Sequence, residues 1–169
     1  MTDLKPVRIG LILALLAILY GYLFGIAFGA WEDGMKADLK ASGQAALETV
    51  YGGDEAAMLK VYEKAWGYYK RSHLHAGALG AAAVAQILLL SLLAIGPRAK
   101  AFTSFLLGAG ALGYGVFWMW AGNRAPGLGG TDLAKESLAW FAMPTSGACV
   151  AGTALTLWFA LRALYFKRG

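Results

Sequence analysis

Charge is scarce in this chain. Only 15% of its 169 residues are Asp, Glu, Lys or Arg, well below the roughly 25% usual for soluble domains. A single cysteine, Cys149, excludes an intramolecular disulfide. It equally excludes a cysteine-built zinc or iron–sulfur centre within one chain. Cys149 lies in an apolar run and reads as a small buried hydrophobe. There are only two histidines, and a bis-histidine haem within one chain is not expected. No nucleophile–base triad, nucleotide fingerprint or internal repeat is present, and no carboxylate pair lies in an apolar run.

What is present is apolar sequence in long blocks, 59% of all residues. Four blocks stand out, at 9–30, 74–95, 101–121 and 140–161, and none carries a charge in its interior. Each is about 20 residues or slightly more, enough to cross a hydrocarbon core of ~30 Å. The chain reads as one all-α integral membrane domain, 1–169, built as a four-helix bundle. The first block has the basic lead-in of a signal peptide, Lys5 and Arg8. Its apolar stretch is too long for one, and the bulky Phe28 precedes Ala30 where a small residue is needed, so we expect a retained helix.

The charges define two sides. Lys5, Arg8, Arg98, Lys100, Arg162, Lys167 and Arg168 gather at one side with Asp3 as the only acid, a net +6. The other side holds eight bases and nine acids, a net −1, and the two together give the chain's +5. The positive side is expected to be cytoplasmic, with both termini there, as in a bacterial inner membrane. The basic balance then reports topology and contact with anionic lipid, not nucleic acid. Trp31, Trp118, Trp120, Trp140 and Phe141 fit an outer aromatic belt, and Tyr165 and Phe166 an inner boundary.

Residues 31–73 contain no proline and predict an extracytoplasmic helical hairpin between the first two spans. Its second half places Met58, Val61, Tyr62, Ala65, Trp66 and Tyr69 on one helical stripe. The Tyr51-Gly-Gly-Asp54 link supplies glycines to end one helix near Val50 and an aspartate to cap the next. Gly34 and Gly43 are candidate bends in the first helix. Trp66, Tyr68 and Tyr69 occupy nearly all sides of the second helix, more than one partner helix can cover. They are candidate docking residues for a membrane or periplasmic partner. The segment 122–139 is expected to be an outer loop, with Thr131 or Asp132 capping a short helix over 133–140. Pro144 is expected to kink or start the membrane part of the fourth helix.

The sharpest local feature is His73-Leu-His75, directly after Lys70 and Arg71 and directly before the second span. At 100° per residue the imidazoles point about 200° apart, so one ion or one haem cannot take both. His73 shares its face with Gly77, Gly80 and Val84, a groove of small residues. An imidazole above such a groove can hold haem b or another tetrapyrrole. Met119 or Met143, expected at the same level, could supply a second axial ligand. Histidine with methionine also suits copper(I), and a neutral interfacial histidine suits quinol oxidation. The plainer alternative is a pair of interfacial residues at a helix entrance. Gln86, Tyr114 and Thr145 form a candidate polar pocket, because an amide or hydroxyl in hydrocarbon needs a partner. The hydroxyls can also bond back to their own helix.

Together these features predict a non-catalytic subunit of a larger membrane complex, redox or respiratory in character, docking a partner through its outer hairpin. The alternatives are a small cytochrome-b-like carrier using His73 or His75, and a copper- or quinol-binding membrane protein.

Overall fold

The computed structural model describes residues 3–166. Lys167 and Arg168, counted above among the basic residues, lie outside the described residues. Every described element is helical. A short 3-10 turn, Lys5–Val7, leads into α1 (Arg8–Ala45); then follow α2 (Leu47–Tyr51), α3 (Glu55–Leu92), α4 (Pro97–Leu128), α5 (Thr131–Glu136) and α6 (Ala139–Tyr165). Of these, α1, α3, α4 and α6 are long and apolar enough to cross a membrane.

The long helices run alternately up and down. One end of the bundle holds the first and last described residues and the α3–α4 turn; we call it the terminal end. The other holds α2 and α5 and is the hairpin end. Helix α4 is central and packs against α1, α3 and α6, whereas α6 rests on α4 and barely meets α3. The bundle is therefore a tight triple, α1–α3–α4, with α6 laid along one side.

Small residues set these approaches. The buried face of α1 is Gly10, Ala14, Ala17 and Gly21, at helical spacing. Gly10 meets the Ser104 backbone and Gly108 of α4 so closely that a methyl at either glycine would clash with backbone atoms. A Cβ on Gly21 would stand 2.9 Å from the Gly77 nitrogen of α3. The large side chains of α1 point away from the bundle: Ile12, Leu15, Leu16, Leu19 and Leu23 are all exposed. In water this is upside down, because burial of large apolar groups is what drives folding there.

The helices outrun the apolar blocks. Trp31 leaves helical geometry (φ −137°, ψ 25°), so α1 kinks there and not at Gly34 or Gly43. Beyond the kink α1 continues to Ala45, breaks at Ala46 (φ −100°, ψ 2°) and resumes as α2. The expected helix to about Val50 is thus two pieces. Gly52 and Gly53 take left-handed conformations (φ 59° and 83°), and the Asp54 carboxylate accepts from the Ala57 N–H at 2.9 Å to start α3. This is the link that Gly-Gly-Asp predicts.

The segment 122–139 corrects the expected loop. Helix α4 runs on to Leu128 with Pro126 inside it, and only Gly129 and Gly130 separate it from α5. Packing overrides the turn-forming composition, since Ala121, Gly122, Ala125 and Pro126 are all buried. Gly122 lies on Ala65 and Tyr69 of α3. Neither Thr131 nor Asp132 caps α5: Gly130 holds that position, and Asp132 instead pairs with Lys135 at 2.7 Å. That pair pulls the Asp132 carboxyl below its ordinary range and lifts the Lys135 ammonium. Pro144 lies within α6, which starts earlier, at Ala139.

Candidate functional site: the histidine pair and its aromatic layer

The middle of α3 makes three polar contacts to its neighbours, through the consecutive residues Ser72 and His73. Ser72 is fully buried and its hydroxyl donates to the Gly115 carbonyl of α4 at 2.8 Å. The Tyr20 hydroxyl of α1 lies 2.7 Å from the same oxygen. A serine has one proton, and the carbonyl can only accept it, so Tyr20 must donate to Ser72. One buried serine thereby ties all three helices of the triple. Sequence reading singled out neither residue. The rule that a mid-span tyrosine hydroxyl needs a partner, applied to Tyr114, would also have flagged Tyr20.

His73 turns toward α1. Its Nδ1 is 2.6 Å from the Gly21 carbonyl oxygen, so Nδ1 carries the proton. The ring sits over Gly25, where a Cβ would come within 2.7 Å of Cε1, and meets the edge of Phe28 at 5.8 Å. Gly80 in turn lies beneath Ala14 and Ile18 of α1. The glycines of the groove that His73 shares with Gly77 and Gly80 receive α1 in this structure. The physical reason is that glycines that admit a flat ring admit a helix equally well.

His75 turns toward α4. Its ring lies 5.5 Å from Tyr114 and 5.9 Å from Trp118. Tyr68 joins edge-on to Trp118 at 4.7 Å, and the Arg71 guanidinium covers both rings at 5.2 and 5.1 Å. Phe117 and Phe141 extend this aromatic layer, and Leu138 packs within it. The imidazoles thus leave α3 on different sides and lie in different helix interfaces.

The docking candidates are largely covered by the chain itself. Trp66 is only 9% exposed and packs on Phe28 and Tyr69, with the Lys36 ammonium 5.2 Å from its ring. Tyr68 is 7% exposed, and Tyr69 packs on Phe24 at 5.6 Å. Two helices, α1 and α4, cover what one could not, so these three residues do not form an open face. The polar pocket does not assemble either. The Thr145 hydroxyl bonds back to the Phe141 and Ala142 carbonyls at 2.8 and 3.1 Å. Gln86 is 11 residues from His75, about 16 Å along α3 at ~1.5 Å per residue, and its Oε1 is buried without a partner. Met143 is 72% exposed on α6, and Met119 is half-buried on α4. Among the described residues no three His, Cys, Asp or Glu side chains converge.

At the hairpin end the chain builds a packed head. Met58 of α3 fits against Gly43 of α1, where a Cβ would meet its sulfur at 2.7 Å. Ala65, Ala125 and Ala134 bring α3, α4 and α5 together. The Tyr51 hydroxyl donates to the Pro126 carbonyl at 2.6 Å, capping the last turn of α4. Burial there pushes the Tyr51 phenol above its ordinary pKa.

No family model, no curated protein and no solved structure matches the chain.

Proposed function

We propose that this chain is a non-catalytic integral membrane subunit that presents its hairpin end to a partner protein outside the cytoplasm. The observation that carries the reading is surplus helix length. Helices α1 and α3 have 38 residues each and α4 has 32, where about 20 cross a bilayer. The surplus is spent on the packed head, and a plain membrane anchor needs no head.

Membrane insertion is supported by the placement of large and small residues. Small residues face inward on α1, while Ile12, Leu15, Leu16, Leu19 and Leu23 face outward. Helices pack this way where lipid removes the drive to bury large apolar groups. Sidedness is supported by the acids. Nine of ten lie toward the hairpin end, and Asp3 alone lies at the terminal end, beside Lys5, Arg8, Arg98, Lys100 and Arg162. The absence of charge within the four apolar blocks favours a supporting role over ion-coupled transport.

Lys60, Glu63 and Lys64 are exposed on the head and offer the partner a polar face. The test is native purification in mild detergent, comparing the wild type with K60E/E63K/K64E. The wild type should migrate within a larger assembly, and the variant should run alone with an unchanged melting temperature. A wild type that runs alone, or a variant that stays assembled, would sink the docking role.

One observation favours a second reading, a haem-binding carrier. The Nδ1–H bond of His73 to Gly21 leaves Nε2 as the lone-pair nitrogen, and metal-ligating histidines are oriented by such bonds. A reduced-minus-oxidised absorption spectrum of the native protein decides it. A Soret band that disappears in His73→Ala supports the carrier, and a flat spectrum rejects it.

A further inference from the structure

The terminal end holds a second construction that the head does not explain. Because α1 and α4 run parallel and touch at Gly10 and Gly108, their N-termini lie side by side. Between them opens a cleft of about 450 Å³ lined by Lys5, Arg8 and Arg98 around Ile9, Ala101 and Phe105. The three cations come from two segments at least 90 residues apart in sequence, and only the parallel pairing brings them together. None of the three is in a salt bridge among the described residues. The one acid nearby, Asp3, accepts from the Lys5 backbone N–H at 2.9 Å. Lys100, the remaining base of the α3–α4 turn, is committed elsewhere, because its ammonium donates to the Ser91 carbonyl at 2.8 Å. The positive ends of two aligned helix dipoles add to the field.

The cleft is amphipathic in the direction a lipid requires. Beside the cations, Ile9 at 58% and Phe105 at 47% line the cleft as exposed apolar side chains, and Ile12, 57% exposed, follows Ile9 one turn further along α1. A soluble anion would find the charge and leave the apolar walls bare. A neutral lipid would find the walls and leave three unpaired cations.

We infer that this cleft is a binding seat for one anionic phospholipid, its phosphate held by Lys5, Arg8 and Arg98 and its acyl chains lying along Ile9, Ile12 and Phe105. The inference rests on the membrane reading given above. It goes beyond a general attraction of basic loops to anionic lipid, because it assigns one lipid to one place. Charge complementarity chooses the occupant, and the adjoining apolar walls make it a lipid.

The experiment is native mass spectrometry of the full chain released from nanodiscs of phosphatidylcholine containing phosphatidylglycerol. Wild type is compared with R8Q/R98Q and with K60Q/K64Q, a control that removes the same charge from the head. Wild type and K60Q/K64Q should each retain one phosphatidylglycerol, and R8Q/R98Q should retain at least fivefold less. Equal retention in all three proteins would reduce the seat to diffuse charge and overturn the inference, as would no retention in any. Melting curves in phosphatidylcholine alone check that R8Q/R98Q is folded. Inorganic phosphate at millimolar concentration is added in a separate arm. If it raises the melting temperature as much as phosphatidylglycerol does, the site takes a free anion and the lipid assignment fails. Failure of the membrane reading shows separately, as a chain that does not float with phosphatidylcholine vesicles.

Discussion

The Nδ1 of His73 and the carbonyl oxygen of Gly21 lie 2.6 Å apart across the α1–α3 interface. The side chain that the sequence marks as a candidate ligand therefore also braces two helices. His73→Ala removes one hydrogen bond and a ring packed on Phe28. The expected loss is about 1–2 kcal/mol of stability, measured by thermal unfolding in detergent. An unchanged midpoint would show that the ring is not seated on Gly21.

The Tyr20–Ser72–Gly115 chain predicts a graded pair of effects. Ser72→Ala strands the Tyr20 donor and removes a bond to Gly115, at a cost of about 1–3 kcal/mol. Tyr20→Phe leaves only an unused lone pair on Ser72 and should cost about 1 kcal/mol. The double variant should fall short of the sum, because the two changes break one network. Full additivity in a double-mutant cycle would count against the relay.

Gly108→Leu places a branched side chain against the Gly10 backbone. Overpacking at a backbone contact should cost at least the usual ~1–3 kcal/mol. Gly147→Leu is the control, because nothing lies within 4 Å of a Cβ there. The melting temperature should fall for the first and hold for the second.

Tyr51 links α2 to the last turn of α4, and burial raises its phenol pKa. A group with a raised folded pKa adds stability that is present below its unfolded value and lost as pH climbs through the folded one. The window therefore opens at about pH 10 and extends upward. Tyr51→Phe should lose about 1 kcal/mol at neutral pH and show a shallower alkaline decline than the wild type. Parallel alkaline profiles would mean that the phenol does not carry the bond.

The sequence made the four apolar helices and the Gly-Gly-Asp link legible because each depends on local chemistry. Long uncharged apolar blocks favour long helices, and Asp54 caps the residues beside it. The extension of α4 through Pro126 was hidden because its cause is remote: Tyr51, Ala65 and Tyr69 lie more than 50 residues away. The histidines were legible as a pair on different faces of one helix, but their neighbours were not. Nothing local says that the groove at Gly77 and Gly80 receives α1. Trp66 and Tyr68 looked unpartnered for the same reason, since their covers come from α1 and α4.

The parallel contact of Gly10 with Gly108 also constrains how the molecule is made. Helix α1 leaves the ribosome before α4, and the surface that receives its glycine face is synthesised nearly a hundred residues later. Until α4 docks, the α1–α3 hairpin must survive with part of its small-residue face bare. The polar contacts already available to it, Tyr20 with Ser72 and Gly21 with His73, are the ones that can hold the nascent pair in register while it waits.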